Sequence, residues 1–171
     1  MTRYLDVLVD LMLVRRLMPW HGNAGKRLMK APKVYIRDAG LAHALLGLGT
    51  TEALLGHPVV GGSWEGFCIA ELIAAAPDAT QASYYRTSAG AELDLVLQTP
   101  DGAVWAIEVK RTTAARVSRG FHRAADDIQA DHRVLVYAGT RNVAGQGALT
   151  ALPLAQAIAM ISGNQTQDRQ V

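Results

Sequence analysis

Asp94, Glu108 and Lys110 follow one another in the order Asp-(x)n-Glu-x-Lys, within two segments rich in strand-forming residues. Residues 91–98 and 103–110 alternate apolar with polar positions, which predicts a strand in each. Successive strand side chains point to opposite faces. Leu93, Leu95 and Leu97 are therefore expected on one face, and Glu92, Asp94 and Val96 on the other. In the second strand Trp105, Ile107 and Val109 lie opposite Ala106, Glu108 and Lys110. Between the strands, Thr99-Pro100-Asp101-Gly102 suits a type I turn closed by a left-handed glycine. That turn pairs Thr99 with Ala103, which sets Asp94 opposite Glu108 and Glu92 opposite Lys110. Two facing carboxylates repel unless a cation neutralises them, and a hard divalent ion with oxygen ligands does so well. A lysine beside them offsets charge and orients a water, which is the minimum for metal-assisted phosphodiester hydrolysis. A hairpin with one wet face would alternate in the same way, its charges merely pairing. The apolar flanking segments argue instead for a central hairpin covered on both faces.

The elements that must hold this hairpin can be read around it. Residues 4–13 carry apolar positions at helical spacing. Residues 13–20 and 27–36 look extended and flank turn-forming residues, which predicts a hairpin. Asp38 is a suitable N-cap for a short helix over 39–46 that Gly47 would end. A Gly-rich, loosely patterned stretch to Gly62 reads as an internal boundary or loop. Ser63 is expected to cap a stronger helix over 64–76, stopped by Pro77. A short strand over 83–87 precedes the hairpin. A helix over 119–130, a buried strand over 134–138 and a last helix over 154–161 follow it. The middle of the chain thus reads α-β-β-β-α-β. The expected divisions are 1–47 (helix, hairpin and short helix), 48–161 (the domain with the hairpin) and a frayed tail, 162–171.

The 171 residues suit one domain with a small appendage, and half of them are hydrophobic, enough for a core. The net charge of +2 weakly favours polyanionic partners. The lone Cys68 excludes an internal disulfide and a multi-cysteine zinc site. The apolar stretch 5–17 is short and holds Asp6 and Asp10, so no membrane span is expected, and a cytoplasmic location is the natural one. Gly22-Asn-Ala-Gly-Lys-Arg27 is too short for a P-loop, and Arg27 stands where Ser or Thr would hold magnesium. No Gly-x-Ser-x-Gly or Cys–His arrangement supports nucleophilic hydrolase chemistry. The histidines show no metal-ligand spacing, and His43 on a short apolar helix reads as structural.

Asp94 followed by Glu108-Val109-Lys110 resembles the PD-(D/E)XK nuclease superfamily. A wider set comprises Pro32-Lys-Val-Tyr-Ile-Arg-Asp38-Ala-Gly-Leu41, Gly62-Ser-Trp-Glu65-Gly-Phe, Tyr85-Arg-Thr, Glu92-Leu-Asp94 and Ile107-Glu-Val-Lys110-Arg. In that order it resembles the C-terminal domain of unknown function appended to prokaryotic AAA-type ATPases. The resemblance spans residues 4–161 and is more specific than the short nuclease motif. It implies an α/β, restriction-endonuclease-like core with a mixed central sheet flanked by helices. It also makes residues 1–47 a partial winged-helix-like helix and wing. An AAA-type ATPase module, in the same or another chain, becomes the implied partner.

Asp94, Glu108 and Lys110 are then the expected catalytic residues, with Asp94 and Glu108 binding Mg²⁺ or Mn²⁺. Related nucleases often add a helix carboxylate, and Glu65 matches that place. Cys68, Ile69 and Leu72 follow Glu65 on one stripe, although an acid in a first turn can also simply complement the helix dipole. Glu92 is either a further ligand or the cross-strand partner of Lys110. Arg86 is a phosphate contact or a surface arginine. Arg111, Arg116, Arg119 and Arg123 would track a nucleic-acid backbone or form a solvated face. The expected activity is metal-dependent hydrolysis of DNA or RNA. The alternative is a weak or inactive nuclease-fold module for DNA docking or protein interaction.

Overall fold

Strand-forming runs separated by amphipathic stretches build one eight-stranded sheet with helices packed on both faces. The computed structural model describes residues 2–21, 31–114, 116–145 and 148–163. Along these residues the order is α1 (Thr2–Asp10), β1 (Val14–Pro19), β2 (Lys33–Ile36), α2 (Ala39–Leu45), α3 (Thr51–Leu55) and α4 (Val60–Ala75). Then come β3 (Gln81–Arg86), β4 (Glu92–Gln98), β5 (Val104–Lys110), α5 (Arg119–Asp127), β6 (His132–Tyr137), β7 (Val143–Ala144), β8 (Leu149–Leu152) and α6 (Leu154–Ile161). The middle of the chain runs α4-β3-β4-β5-α5-β6, the order expected from its patterning. The fold is α/β with a mixed sheet, strand order β2-β1-β3-β4-β5-β6-β8-β7. No helix among the described residues is long and apolar enough to cross a membrane.

The β4–β5 hairpin lies at the centre, as its two apolar faces require. One face of the sheet packs Leu95, Leu97, Trp105, Ile107 and Val109 against Cys68, Ile69 and Leu72 of α4 and Ala157 and Ile161 of α6. The other packs Leu93, Val96 and Ala106 against Phe121, Ala124 and Ala125 of α5. Leu93 is thus on the opposite side from Leu95 and Leu97, contrary to the simple alternation. The cause is a bulge. Ser83 of β3 pairs with Val96, but Tyr85 pairs with Leu93, so β4 carries one residue more than β3 over that stretch. The extra residue turns Asp94 and Leu95 to the same side, and the alternation resumes on the other phase.

Several local expectations are met and others corrected. Asp38 caps α2 by accepting from the Leu41 amide at 3.1 Å. The stretch read as loose loop holds α3, capped by Thr50, and the first turn of α4. Because α4 begins at Val60, Ser63 is not its cap: its hydroxyl pairs with His43 Nε2 at 2.6 Å. The short strands β7 and β8 were not anticipated, since Leu149–Leu152 is too brief to show alternation. The 22–30 segment, with the rejected Gly-Lys motif, lies outside the described residues, as do 164–171 of the expected tail. The expected N-terminal hairpin is present as β1 and β2 and joins the common sheet through parallel pairing of β1 with β3, Met18 opposite Ser83.

Candidate functional site

The turn sets the hairpin as its residues require. The Thr99 amide donates to the Ala103 carbonyl at 3.0 Å, and Gly102 takes φ +92°, the left-handed conformation glycine adopts freely. The register runs from Gln98 opposite Val104 to Leu95 opposite Ile107. One more step would bring Asp94 opposite Glu108, but the ladder stops there. Instead the Val109 amide donates to Asp94 Oδ2 at 3.0 Å, so the carboxylate takes the place of a backbone acceptor.

The bulge decides which way Asp94 faces. It points to the side of α4, where Glu65 stands. Glu108 and Lys110 do not follow it. They pair with Leu135 and Tyr137 of β6, which belong to the core on the α5 side, so both lie on that face. Asp94 and Glu108 were expected together on one face; they lie across the hairpin on opposite faces. Lys110 Nζ sits 2.6 Å from Glu108 Oε1, making the Glu108–Lys110 pair a unit of its own.

The carboxylates on the α4 side gather around a residue the sequence had not singled out. Lys33, at the start of β2, places Nζ 3.2 Å from Asp94 Oδ1, 3.1 Å from Glu92 Oε1 and 3.4 Å from Glu65 Oε1. Tyr35, two residues on and on the same face of β2, donates its hydroxyl to Glu65 Oε1 at 2.5 Å. Glu92 also meets Arg86, 3.4 Å from Nε, so its partners are Lys33 and Arg86, not the expected Lys110. The signal for Lys33 and Tyr35 lay in the Pro32-Lys-Val-Tyr run, whose alternation puts both on one side. What hid their role is that β2 reaches the site only through the β1–β3 pairing.

Burial pushes the Asp94 carboxyl up to about 6, and repulsion from Glu65 adds to it. Lys33 and the Val109 amide oppose the rise, and Glu108 adds a little more repulsion from across the hairpin. Burial pulls the Lys33 ammonium down, but Asp94, Glu65 and Glu92 together outweigh it, and the net direction is up. Burial and the bond to Glu65 raise the Tyr35 hydroxyl, which stays a neutral donor. An acid lifted toward neutrality beside a fixed cation is the kind of perturbation that accompanies functional sites.

A divalent ion would need hard oxygen donors at about 2.0–2.6 Å. The donor chemistry is right, and the ammonium of Lys33 already stands as a cation where three carboxylates meet. Yet no group of three or more His, Cys, Asp or Glu among the described residues is arranged to hold a metal as it stands. The set Asp94, Glu108 and Glu65 is split by the bulge, and two of its members are drawn onto Lys33.

Of the basic residues, Arg111 lines a cavity of about 690 Å³ together with Arg37, His43, Ser63, Trp64 and Phe67. None of Glu65, Asp94, Glu108 or Lys110 lines it, although Trp64 and Arg111 are their chain neighbours. Arg116, Arg119 and Arg123 are exposed and form no ion pair among the described residues.

Two family profiles match the chain: a domain of unknown function, DUF4143, over residues 60–157, and another, DUF8612, over residues 1–52. Among curated relatives, an uncharacterized protein of Mycobacterium bovis (Mb2031c) and one of Mycobacterium tuberculosis (Rv2008c) are each 41% identical over 155 residues. The alignments cover 90% of this chain and 34% of each relative, so the chain spans about a third of the length of the relatives it matches. No solved structure matches it. The first profile takes in α4, the bulged hairpin and every strand from β3 to β8, and on that match the chain belongs to the DUF4143 family.

Proposed function

We propose that this domain is a metal-dependent nuclease of PD-(D/E)XK type, with a restriction-endonuclease-like core formed by α4-β3-β4-β5-α5-β6. The observation that supports it most is the place of Asp94: a largely buried carboxylate at a bulge in the central hairpin, with Glu65 and Glu92 on the same cation. Such a concentration of negative charge suits a hard divalent ion. Asp94 and Glu65 would hold Mg²⁺ or Mn²⁺ on the α4 side, and Glu108, which faces α5, would join them only by turning across the end of the hairpin. A bound ion lowers the pKa of a ligated water and clamps phosphate oxygens. Lys110, paired with Glu108 on the α5 face, would have to turn with it to orient the attacking water and offset charge developing on the phosphate. Arg111, Arg116, Arg119 and Arg123 would hold the nucleic-acid backbone through salt-sensitive contacts, and Arg86 would stand at the edge of the site. An AAA-type ATPase module is the proposed partner, since the relatives extend well beyond the matched region.

A specific observation favours a second reading. Lys33 already stands as a cation among the three carboxylates, and Glu108 and Lys110 face the other side of the sheet. Both suit a nuclease-fold module that docks nucleic acid or protein without cutting. Cleavage assays with Mg²⁺ or Mn²⁺ on single-stranded, double-stranded and branched substrates separate the two. A nuclease cuts slowly as this isolated chain. Asp94→Ala then loses metal binding and cleavage, whereas Lys110→Ala keeps metal binding and loses most cleavage. A docking module binds nucleic acid equally in both variants and cuts in none.

A further inference from the structure

We infer that Lys33 is a tethered cation that closes the carboxylate site, so that docking of the edge strand β2 and binding of a divalent metal ion exclude one another. The inference rests on the metal-site reading of Asp94 and Glu65 and adds its regulation. Lys33 Nζ lies within 3.1–3.4 Å of carboxylate oxygens from three different residues on two elements: Glu65 on α4, and Glu92 and Asp94 on β4. An ion ligated by the same oxygens would take the space of the ammonium, because two cations within a few ångströms repel strongly in a partly buried setting. The carboxylates face one full ammonium, with Arg86 beside Glu92 alone. Negative charge is thus left over for an ion of higher valence to exploit.

Of the two strands, β2 is the one placed to withdraw: β1 is anchored by Leu17, buried in the core, and by the Trp20 amide, which donates to the Tyr84 carbonyl at 2.7 Å. β1 pairs with the core sheet at Met18 with Ser83 and Pro19 with Tyr84. Among the described residues β2 pairs with β1 alone and forms the edge of the sheet, with the Tyr84 hydroxyl donating to the Ala31 carbonyl just before it. Its Val34 and Ile36 are exposed, whereas Lys33 and Tyr35 point inward. The inward contacts of β2 with α4 and β4 include those to the carboxylates themselves and the packing of Tyr35 against Gly66. Release of Lys33 and Tyr35 therefore frees Glu65, Glu92 and Asp94 at one stroke. Anything that draws β2 from the sheet edge gains a handle on the metal site.

The test compares Mn²⁺ affinity, read by electron paramagnetic resonance, in the whole chain and its Lys33→Met and Lys33→Arg variants. Lys33→Met should bind Mn²⁺ at least 10-fold more tightly than wild type, and Lys33→Arg, which keeps the cation, should bind as wild type does. In wild type, Mn²⁺ should also speed amide exchange at residues 33–36. Should Lys33→Met fold poorly, the pair Glu92→Gln and Lys33→Met/Glu92→Gln makes the same comparison at lower site charge. Equal affinity in all variants, weaker binding without Lys33, or no Mn²⁺ binding in any of them overturns the inference. Tighter Mn²⁺ binding by Lys33→Met with no cleavage of any substrate upholds it and overturns the nuclease reading alone.

Discussion

Replacing Asp94 by Asn should stabilise the metal-free protein at pH 7.5 and change it little near pH 4. The Asp94 carboxyl is pushed up to about 6 from an ordinary 3.8, chiefly by burial, then by Glu65. The folded state therefore holds the Asp94 proton more tightly than the unfolded chain does. For a raised carboxyl the sign is fixed. The favourable contribution is complete below about 3.8 and is lost as pH rises through about 6. A difference of about two units corresponds to about 2–3 kcal/mol at neutral pH. The side chain is 16% exposed, so solvent screens it little. Asparagine resembles the protonated acid, keeps an oxygen for the Val109 amide, and leaves Lys33 with Glu65 and Glu92. For a chain of this size the gain amounts to roughly 5–10 °C in Tm. Urea unfolding of both proteins in EDTA, from pH 4 to pH 7.5, measures it. A variant less stable than wild type at pH 7.5, by the same margin as at pH 4, would show that Asp94 is not held against its own charge, and the site argument would fail with it.

Other expectations follow from single features. Gly102→Ala places a side chain at φ +92° with open space around it, so it should lose about 1–2 kcal/mol from the backbone alone and leave metal binding unchanged; thermal melting and Mn²⁺ titration check this. Cys68 is fully buried and its thiol is pushed up to about 12, so an aromatic disulfide reagent should modify it only at the rate of unfolding; fast labelling of the native protein would refute the packing of α4. If Arg119 and Arg123 bind phosphates, replacing both by Ala should make the salt dependence of nucleic-acid binding shallower by about 0.7–0.9 in log–log slope for each phosphate no longer neutralised; an unchanged slope returns them to a solvated face.

The hairpin was legible because its information is local. Thr99 to Gly102 dictate the turn, the turn dictates the register, and the apolar flanks dictate a central place in the sheet. The orientation of Asp94 was not legible, because a bulge belongs to two strands at once. It appears only when β3 pairs with β4, and nothing in Glu92–Gln98 alone marks the extra residue. Lys33 was hidden for a similar reason. It stands 61 residues from Asp94 in the chain, and the two meet only after β1 has paired with β3. Glu65 was within reach of pattern reasoning, since its i+3, i+4 and i+7 neighbours are all buried. The helix α3 and the strands β7 and β8 are too short for periodicity to distinguish them from loop.

The bulge links the fold to the chemistry. Without it, Asp94 would share the α5 face with Glu108 and Lys110, and Lys33 and Glu65 would face an apolar core. With it, Asp94 is turned toward α4 and its carboxylate also captures the Val109 amide, so one irregularity both ends the β4–β5 ladder and assembles the acidic site. The arrangement is costly. Partly buried ion groups gain little over well-packed apolar residues of similar volume, and an excess of carboxylates gains less. Bulges persist where they re-aim a side chain for a purpose. A sequence selected for stability alone would have filled positions 33, 65, 92 and 94 with residues that need no counter-ion. The proposed role explains the excess. The carboxylates left over by Lys33 are those that a divalent ion would neutralise, and the stability withheld in its absence returns when it binds.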